Sequence, residues 1–463
     1  MNKKVMLLII CNEFCERYCF YGYRSILFAF LRSEFLFTKK KATFIVHMFV
    51  LLCYLFTLVG GMISDMILGK YKTILYLSIL YFTGTTFVTY SSVALNSALV
   101  LYAGLFMIAL GTGGIKPCVA AFGGDQIKGK EREKDLTFFF NFFYFAINLG
   151  SMLSTFISPI LTNLECEGKK TCYPAAFGSS SVLLLLSILL FYVGSSLYVK
   201  HIPKVSDFLT QISNVFSMLF SFDRNQQPSA IAEEHHIEQA DENYNIMRIL
   251  KLFGPITFFW MLFDQQATTW VEQGFKMKNT SMIGNTNIKI LSSQMQTFNS
   301  IFILLFIPLF SRVIYPFIEY IGIKLTPIKK MACGIFLASV SFIISAYIEH
   351  MIYIASLKGE QMSILWQLPQ YLILTAGEIM LNMTGLEFAY SEAPESMKTL
   401  ILACWLLTVT FGNFFVILYS TVDILKFVDT QESEKYNFLI YASMGLVATY
   451  VMFKLEKGYN KSK

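Results

Sequence analysis

Apolar stretches recur along the whole chain, at 5–31, 43–67, 73–94, 97–122, 137–162, 175–199, 247–273, 294–320, 328–355, 363–389, 397–425 and 434–455. Each is long enough, at roughly 20 residues, to cross about 30 Å of hydrocarbon as a helix. The pattern predicts an all-α polytopic membrane protein with twelve transmembrane helices. The first stretch holds Glu13, Glu16 and Arg17, so it lacks the uninterrupted apolar core of a cleaved signal peptide and is expected to remain as helix one.

One segment breaks the rhythm. Residues 200–246 are polar and include Gln226-Gln227-Pro228 and Glu233-Glu234-His235-His236. They read as a cytoplasmic linker between two six-helix bundles, 1–199 and 247–463. Two bundles rocking about a central site is what a major-facilitator-type transporter requires. The His pair reads as part of a solvated linker rather than a metal site.

Composition agrees with the pattern. Hydrophobic residues make up 55% of the chain and charged residues only 15%, more apolar surface than one water-soluble core can bury. The net charge of +6 does not point to nucleic acid, because the basic residues lie mostly at helix ends. Lys3, Lys4, Lys70, Lys72, Lys128, Lys130, Arg132, Lys134, Lys324, Lys329, Lys330, Lys398, Lys454 and Lys457 all fall on one side, which places both termini in the cytoplasm. Lys39, Lys40, Lys41, Lys169 and Lys170 run against that trend. Of nine cysteines, most lie in apolar runs as small packing residues. Cys166 and Cys172 share a short outside loop, where either a disulfide or two free thiols is expected. Asn279-Thr280-Ser281 is a candidate glycosylation sequon in another outside loop.

Ionisable residues at membrane depth are costly and are read first as functional. Helix one carries Glu13, Glu16, Arg17 and Tyr21 at steps of three and four residues, which puts them on one face. Arg17 can neutralise one carboxylate and leave the other to gain or lose a proton. Helix two carries His47 and, two turns on, Tyr54; the histidine is either a hydrogen-bonded packing residue or a titrating group. Helix four ends in Gly111-Thr112-Gly113-Gly114-Ile115-Lys116-Pro117-Cys118, so Lys116 is a buried cation in need of an anion. Tyr144 and Asn148 on helix five, Arg248, Trp260 and Asp264 on helix seven, Asn299 on helix eight, Glu378 on helix ten and Trp405 on helix eleven complete the set. Arg17 and Lys116 in one half and Glu378 in the other would suit the two ends of a zwitterion.

These residues resemble the signatures of the proton-dependent oligopeptide transporter family, a branch of the major facilitator superfamily, and its animal-type members in particular. Asn12-Glu13-Phe14-Cys15-Glu16-Arg17-Tyr18-Cys19-Phe20-Tyr21-Gly22 is similar to the family's ExxERFxYYG motif. The helix-four run continuing through Ala121-Phe122-Gly123-Gly124-Asp125-Gln126 is similar to its longest signature. Phe259-Trp260 with Phe263-Asp264-Gln265-Gln266, Trp366-Gln367-Leu368-Pro369-Gln370-Tyr371, Gly377-Glu378 and Thr384-Gly385-Leu386-Glu387-Phe388 extend the likeness. The loop from Gly60 to Lys72, with Asp65, resembles the superfamily's signature loop, in which the acid helps to latch the bundles.

The resemblance implies a proton-coupled symporter of di- and tripeptides that needs no cofactor, works as a monomer and sits in the plasma membrane. It assigns proton coupling to Glu13, Glu16, Arg17 and His47, with Lys116 as their interacting cation. It assigns the peptide amino end to Asn148, Asn299 and Glu378, the carboxylate to Arg17 and Lys116, and the pocket wall to Tyr21, Tyr54, Tyr144, Trp260 and Trp405. Three departures stand out. Phe20 lacks a motif hydroxyl; Ser311 stands where animal-type members place the aspartate that pairs with the Arg248 position; and only about residues 356–362 join helices nine and ten, where those members carry a large outside domain. A different small solute, such as histidine or nitrate, and a non-transporting peptide receptor are the alternatives. No nucleophile–base set or metal cluster suggests an enzyme.

Overall fold

A computed structural model of the chain describes residues 3–94, 97–127, 132–166, 168, 170–200, 230–283, 286–322, 324–392, 398–422 and 433–461. Each expected span is helical: α1 (Lys3–Ser33), α2 (Lys39–Ile63), α3 (Gly69–Val93), α4 (Ala98–Asp125), α5 (Arg132–Thr162), α6 (Tyr173–Ser196) and α7 (Ala230–Phe263). There follow α8 (Ser292–Tyr320), α9 (Pro327–Leu357), α10 (Ile364–Glu392), α11 (Lys398–Thr421) and α12 (Ser433–Lys461). Among the described residues, ten helices are long and apolar enough to cross a membrane on length and composition alone. The charged middle of α1 and the polar first half of α7 keep those two from reading so cleanly.

Within the first half, α1 packs on α5 and α6, and α4 packs on α2 and α3; within the second, α9 packs on α10 and α12. The halves meet along α2 with α11 and α5 with α8. The ion pairs Arg32–Glu272 and Lys39–Glu434 join corresponding ends of the two halves. The α1–α2 connection and the start of α12 therefore lie at one end, here the far end, and the start of α1 and the end of α12 at the other.

Close approach in lipid depends on small residues, because apolar side chains gain little from leaving hydrocarbon. The glycines of α4 show this directly. A Cβ on Gly60 of α2 would fall 2.2 Å from Gly114 Cα, and one on Gly113 would fall 2.5 Å from Cys53 O. The long signature then ends in ties to neighbouring chain: Asp125 pairs with Lys70 at 2.6 Å, and Gln126 exchanges hydrogen bonds with Val199.

Several details depart from the sequence reading. Ala230–Phe263 is one helix, so the second part of the expected linker is helical and continuous with span seven; residues 201–229 lie outside the described residues, as do the side chains of His235 and His236. Span seven breaks into a tight turn at Asp264–Ala267 before a short helix at Thr269–Phe275. A hairpin of β1 (Thr280–Ile283) and β2 (Thr286–Lys289) follows, with Thr280 opposite Lys289. Its signal was present in sequence as Gly284-Asn285 between β-branched residues. Three spans widen for one turn into π-helix, at Ser64–Leu68, Phe310–Ile314 and Ile379–Met383. Cys166 and Cys172 are joined as a disulfide, with Cα atoms 5.1 Å apart. Asn279 is half-buried at the base of the hairpin, with its Oδ1 covered.

Candidate functional site

The middle of α1 forms a compact ion cluster. Arg17 Nε lies 2.6 Å from Glu13 Oε1 and 3.0 Å from Glu16 Oε2. Thr112 of α4 donates to Glu16 Oε1 at 2.6 Å. Both acids are buried, and Glu13 Oε2 has no hydrogen-bond partner among the described residues. One cation thus serves two carboxylates, and Glu13 Oε2 is left without a hydrogen bond among the described residues.

Lys116 is not bound into this cluster. It forms no ion pair among the described residues; its Nζ sits 3.9 Å from the Tyr54 ring centroid and 4.2 Å from that of Phe20. The expected carboxylate partnership is replaced by two aromatic faces, which attract a cation through the ring quadrupole. Phe20, which lacks the motif hydroxyl, supplies one of those faces.

In the other half, Asn299 of α8 donates to Glu378 Oε2 at 2.8 Å and to Thr375 Oγ1 at 2.9 Å. Glu378 is buried at the junction where α10 widens into its π-turn, a local geometry common at functional positions. Tyr144 is partly exposed, and Asn148 donates to its carbonyl at 2.9 Å. Trp260 Nε1 is buried without a partner among the described residues. Trp405 is buried against Phe253 and lies over Gly385, where a Cβ would meet its ring at 2.1 Å.

The largest surprise is a buried chain of polar groups between the halves. Arg24 of α1 pairs with Asp264 Oδ1. Asn413 of α11 donates to Asp264 Oδ2 at 2.5 Å and to Val409 O at 2.9 Å. With both amide hydrogens committed, Asn413 Oδ1 must accept from His47 Nδ1, 2.7 Å away. His47 Nε2 is then the acceptor for Thr268 Oγ1 at 3.0 Å. His47 is fully buried. Sequence reading singled out His47 and Asp264 but missed Arg24, Asn413 and Thr268. Arg24 was detectable, since it follows Arg17 by two helical turns on the same face. The turn that breaks span seven places Asp264 and Thr268 here.

More ties reinforce the far end. Arg32 grips Glu272 through two hydrogen bonds, Lys39 pairs with Glu434, and Ser151 of α5 meets Ser300 of α8 at 3.1 Å. These cross-seam ties all lie in the far-end half of the helices. Nearer the termini, Arg248 and Ser311 are apart, in keeping with the missing acid. Arg248 donates to Tyr459 O at 2.6 Å and stacks on that ring, and exposed Ser311 bonds back to its own helix. Asp65 falls in the π-turn after α2, and its side chain lies outside the described residues. Gln367 and Gln370 of the helix-ten signature both donate to Gln273 Oε1, so they brace the second half internally.

Two helical halves with buried charge on both sides of one seam, tied across it at the far end among the described residues, define a two-bundle membrane protein. The chain belongs to the POT family, described as PTR2, which it matches over residues 71–427. It is 37% identical over 371 residues to rabbit (Oryctolagus cuniculus) solute carrier family 15 member 1, covering 74% of this chain and 52% of that protein. It is 28% identical to peptide transporter family 1 of Drosophila melanogaster, covering 98% of this chain and 87% of the relative. Against the mammalian relatives the chain thus spans about half of their length. Among solved structures, the POT family transporter PepTSo superposes with a TM-score of 0.84 at 30% identity, covering 100% of this chain and 99% of that one. An auto inhibited POT family peptide transporter follows at 0.83 and 28%, covering 98% and 96%. The fold is that of the major facilitator superfamily, and the POT family is one of transporters.

Proposed function

We propose that the chain carries short peptides across the membrane together with protons, by alternating access. The observation that carries this reading is the division of charge inside the helices: part-buried Arg17 and Lys116 in one half, and buried Glu378 braced by Asn299 in the other. A peptide zwitterion bridges them, its carboxylate toward the cations and its ammonium toward Glu378 and Asn148. Tyr21, Tyr54, Tyr144, Trp260 and Trp405 accommodate the side chains between. The names of the relatives, peptide transporters among them, support the substrate class.

Glu13 and Glu16 share Arg17 and take up the coupled proton. Substrate carboxylate drawn to Arg17 loosens its hold on the two acids, which favours protonation and links the two cargoes. At the far end, a proton on His47 adds a second positive charge beside Arg24, around the single Asp264 carboxylate. Thr268 can rotate its hydroxyl from His47 toward Gln265 O, 3.4 Å away, and accept the new N–H. The Arg24–Asp264–Asn413–His47 chain is, in this reading, a latch that protons weaken. We place both termini in the cytoplasm and the protein, as a monomer, in the plasma membrane; the described conformation is then closed to the outside. The driving force is the proton gradient, with no cofactor.

Purified protein in liposomes, given an inward proton gradient, should accumulate labelled dipeptide and carry current. Glu378→Gln should abolish recognition of the amino end. Dipeptide affinity retained in that variant, or uptake indifferent to the gradient, overturns the proposal.

A further inference from the structure

The lysine run at the far end is unexplained by transport. Lys39 is committed to Glu434, but Lys41 forms no ion pair among the described residues; its Nζ rests 3.6 Å from the Phe37 ring centroid. Lys41 also caps an apolar groove of about 380 Å³ between α2 and α4, lined by Phe44, Met48, Leu52, Tyr102 and Phe106. On α2 the lining residues step by three and four, so they form one stripe along the helix. Phe106 and Phe44 are exposed, so the stripe faces the bilayer.

From Lys41 to Leu52 the groove runs roughly 16 Å at 1.5 Å per residue. That is about half of a ~30 Å hydrocarbon core, the depth of one leaflet. A cation at the headgroup level, a tyrosine just below it and an apolar channel one leaflet deep match the layout of a phospholipid. We propose that this groove binds a glycerophospholipid, with its phosphate on the Lys41 ammonium and one acyl chain between α2 and α4. Charge complementarity selects the headgroup, and the groove selects the chain. The site lies behind α2, whose opposite face holds His47 in the seam with α11, so an occupant there steadies the helix that carries part of the latch.

The test uses the full chain, delipidated in detergent, with thermal stability and native mass spectrometry as readouts. Dioleoylphosphatidylglycerol and dioleoylphosphatidylcholine should bind saturably and raise the melting temperature, the anionic lipid more strongly. Dioleoylglycerol, which lacks the phosphate, should bind at least tenfold more weakly. Lys41→Gln should remove the advantage of phospholipid over diacylglycerol, and Lys41→Arg should keep it. Met48→Trp, which fills the channel, should weaken every dioleoyl lipid. The proposal fails if diacylglycerol or a sterol binds as well as phospholipid, if glycerol phosphate alone reproduces the stabilisation, or if Lys41→Gln leaves the preference intact.

Discussion

Asp264 is the acceptor at the centre of the far-end latch, and its two oxygens have different partners. Oδ1 faces Arg24, and Oδ2 takes the Asn413 amide. Asp264→Asn offers one acceptor and one donor in their place. Whichever way the new amide turns, an N–H faces a donor, so one contact is lost and the charge with it. Arg24 is left buried, and its Nε already has no hydrogen-bond partner among the described residues. Leaving a buried charge without its partner costs about 3–5 kcal/mol. The retained acceptor argues for the lower end, about 3 kcal/mol. Opening the far end admits water to Arg24, so the cost falls on the closed conformation alone. At about 1.4 kcal/mol per factor of ten, the closed-to-open ratio drops by roughly two orders of magnitude. Spin labels at exposed Leu36 and Glu360, with half-buried Cys11, Cys333 and Cys404 replaced, report the separation of the halves at that end. The long-distance population should grow in Asp264→Asn and shrink again in the double variant Arg24→Gln/Asp264→Asn, which carries no orphaned charge. Strictly additive single effects, or an unchanged distance distribution in Asp264→Asn, would refute the latch.

Gly60→Ala should abolish monodisperse expression, because its Cβ meets Gly114 backbone, whereas Gly61→Ala, with nothing within 4 Å, should behave as the parent; size-exclusion profiles decide. Phe20→Leu removes one ring from Lys116, a contact worth about 0.5–2 kcal/mol, so dipeptide KM should rise about 2- to 25-fold while Phe20→Tyr stays near the parent value. Lys39→Gln should change far-end opening little, since its pair with Glu434 is part-exposed and such pairs contribute about 0–1 kcal/mol. Cys166→Ser should lower stability by about 2 kcal/mol, the loop-closure value for so short a ring, read from denaturation under non-reducing conditions.

The sequence by itself determined the helices and much of the site. In lipid the backbone must satisfy its own hydrogen bonds, so an apolar run of the right length has one outcome. The Glu13–Glu16–Arg17 cluster was legible for a similar reason: its members are one turn apart on a single helix, and helical geometry alone brings them together. Glu378 and Asn299 were legible only as candidates, and their 2.8 Å contact is a matter of how α8 packs on α10. The surroundings of Lys116 were not legible, because a cation's charge does not say whether a carboxylate or a ring will reach it first. The latch shows the limit most clearly. Arg24, His47, Asp264, Thr268 and Asn413 come from four stretches of chain up to 389 positions apart, of which 366 separate His47 from Asn413. Nothing local orders them. Only the packing of the two halves, and the broken turn after α7, brings five polar side chains into one buried line, where the cost of leaving any of them unpaired holds the line together.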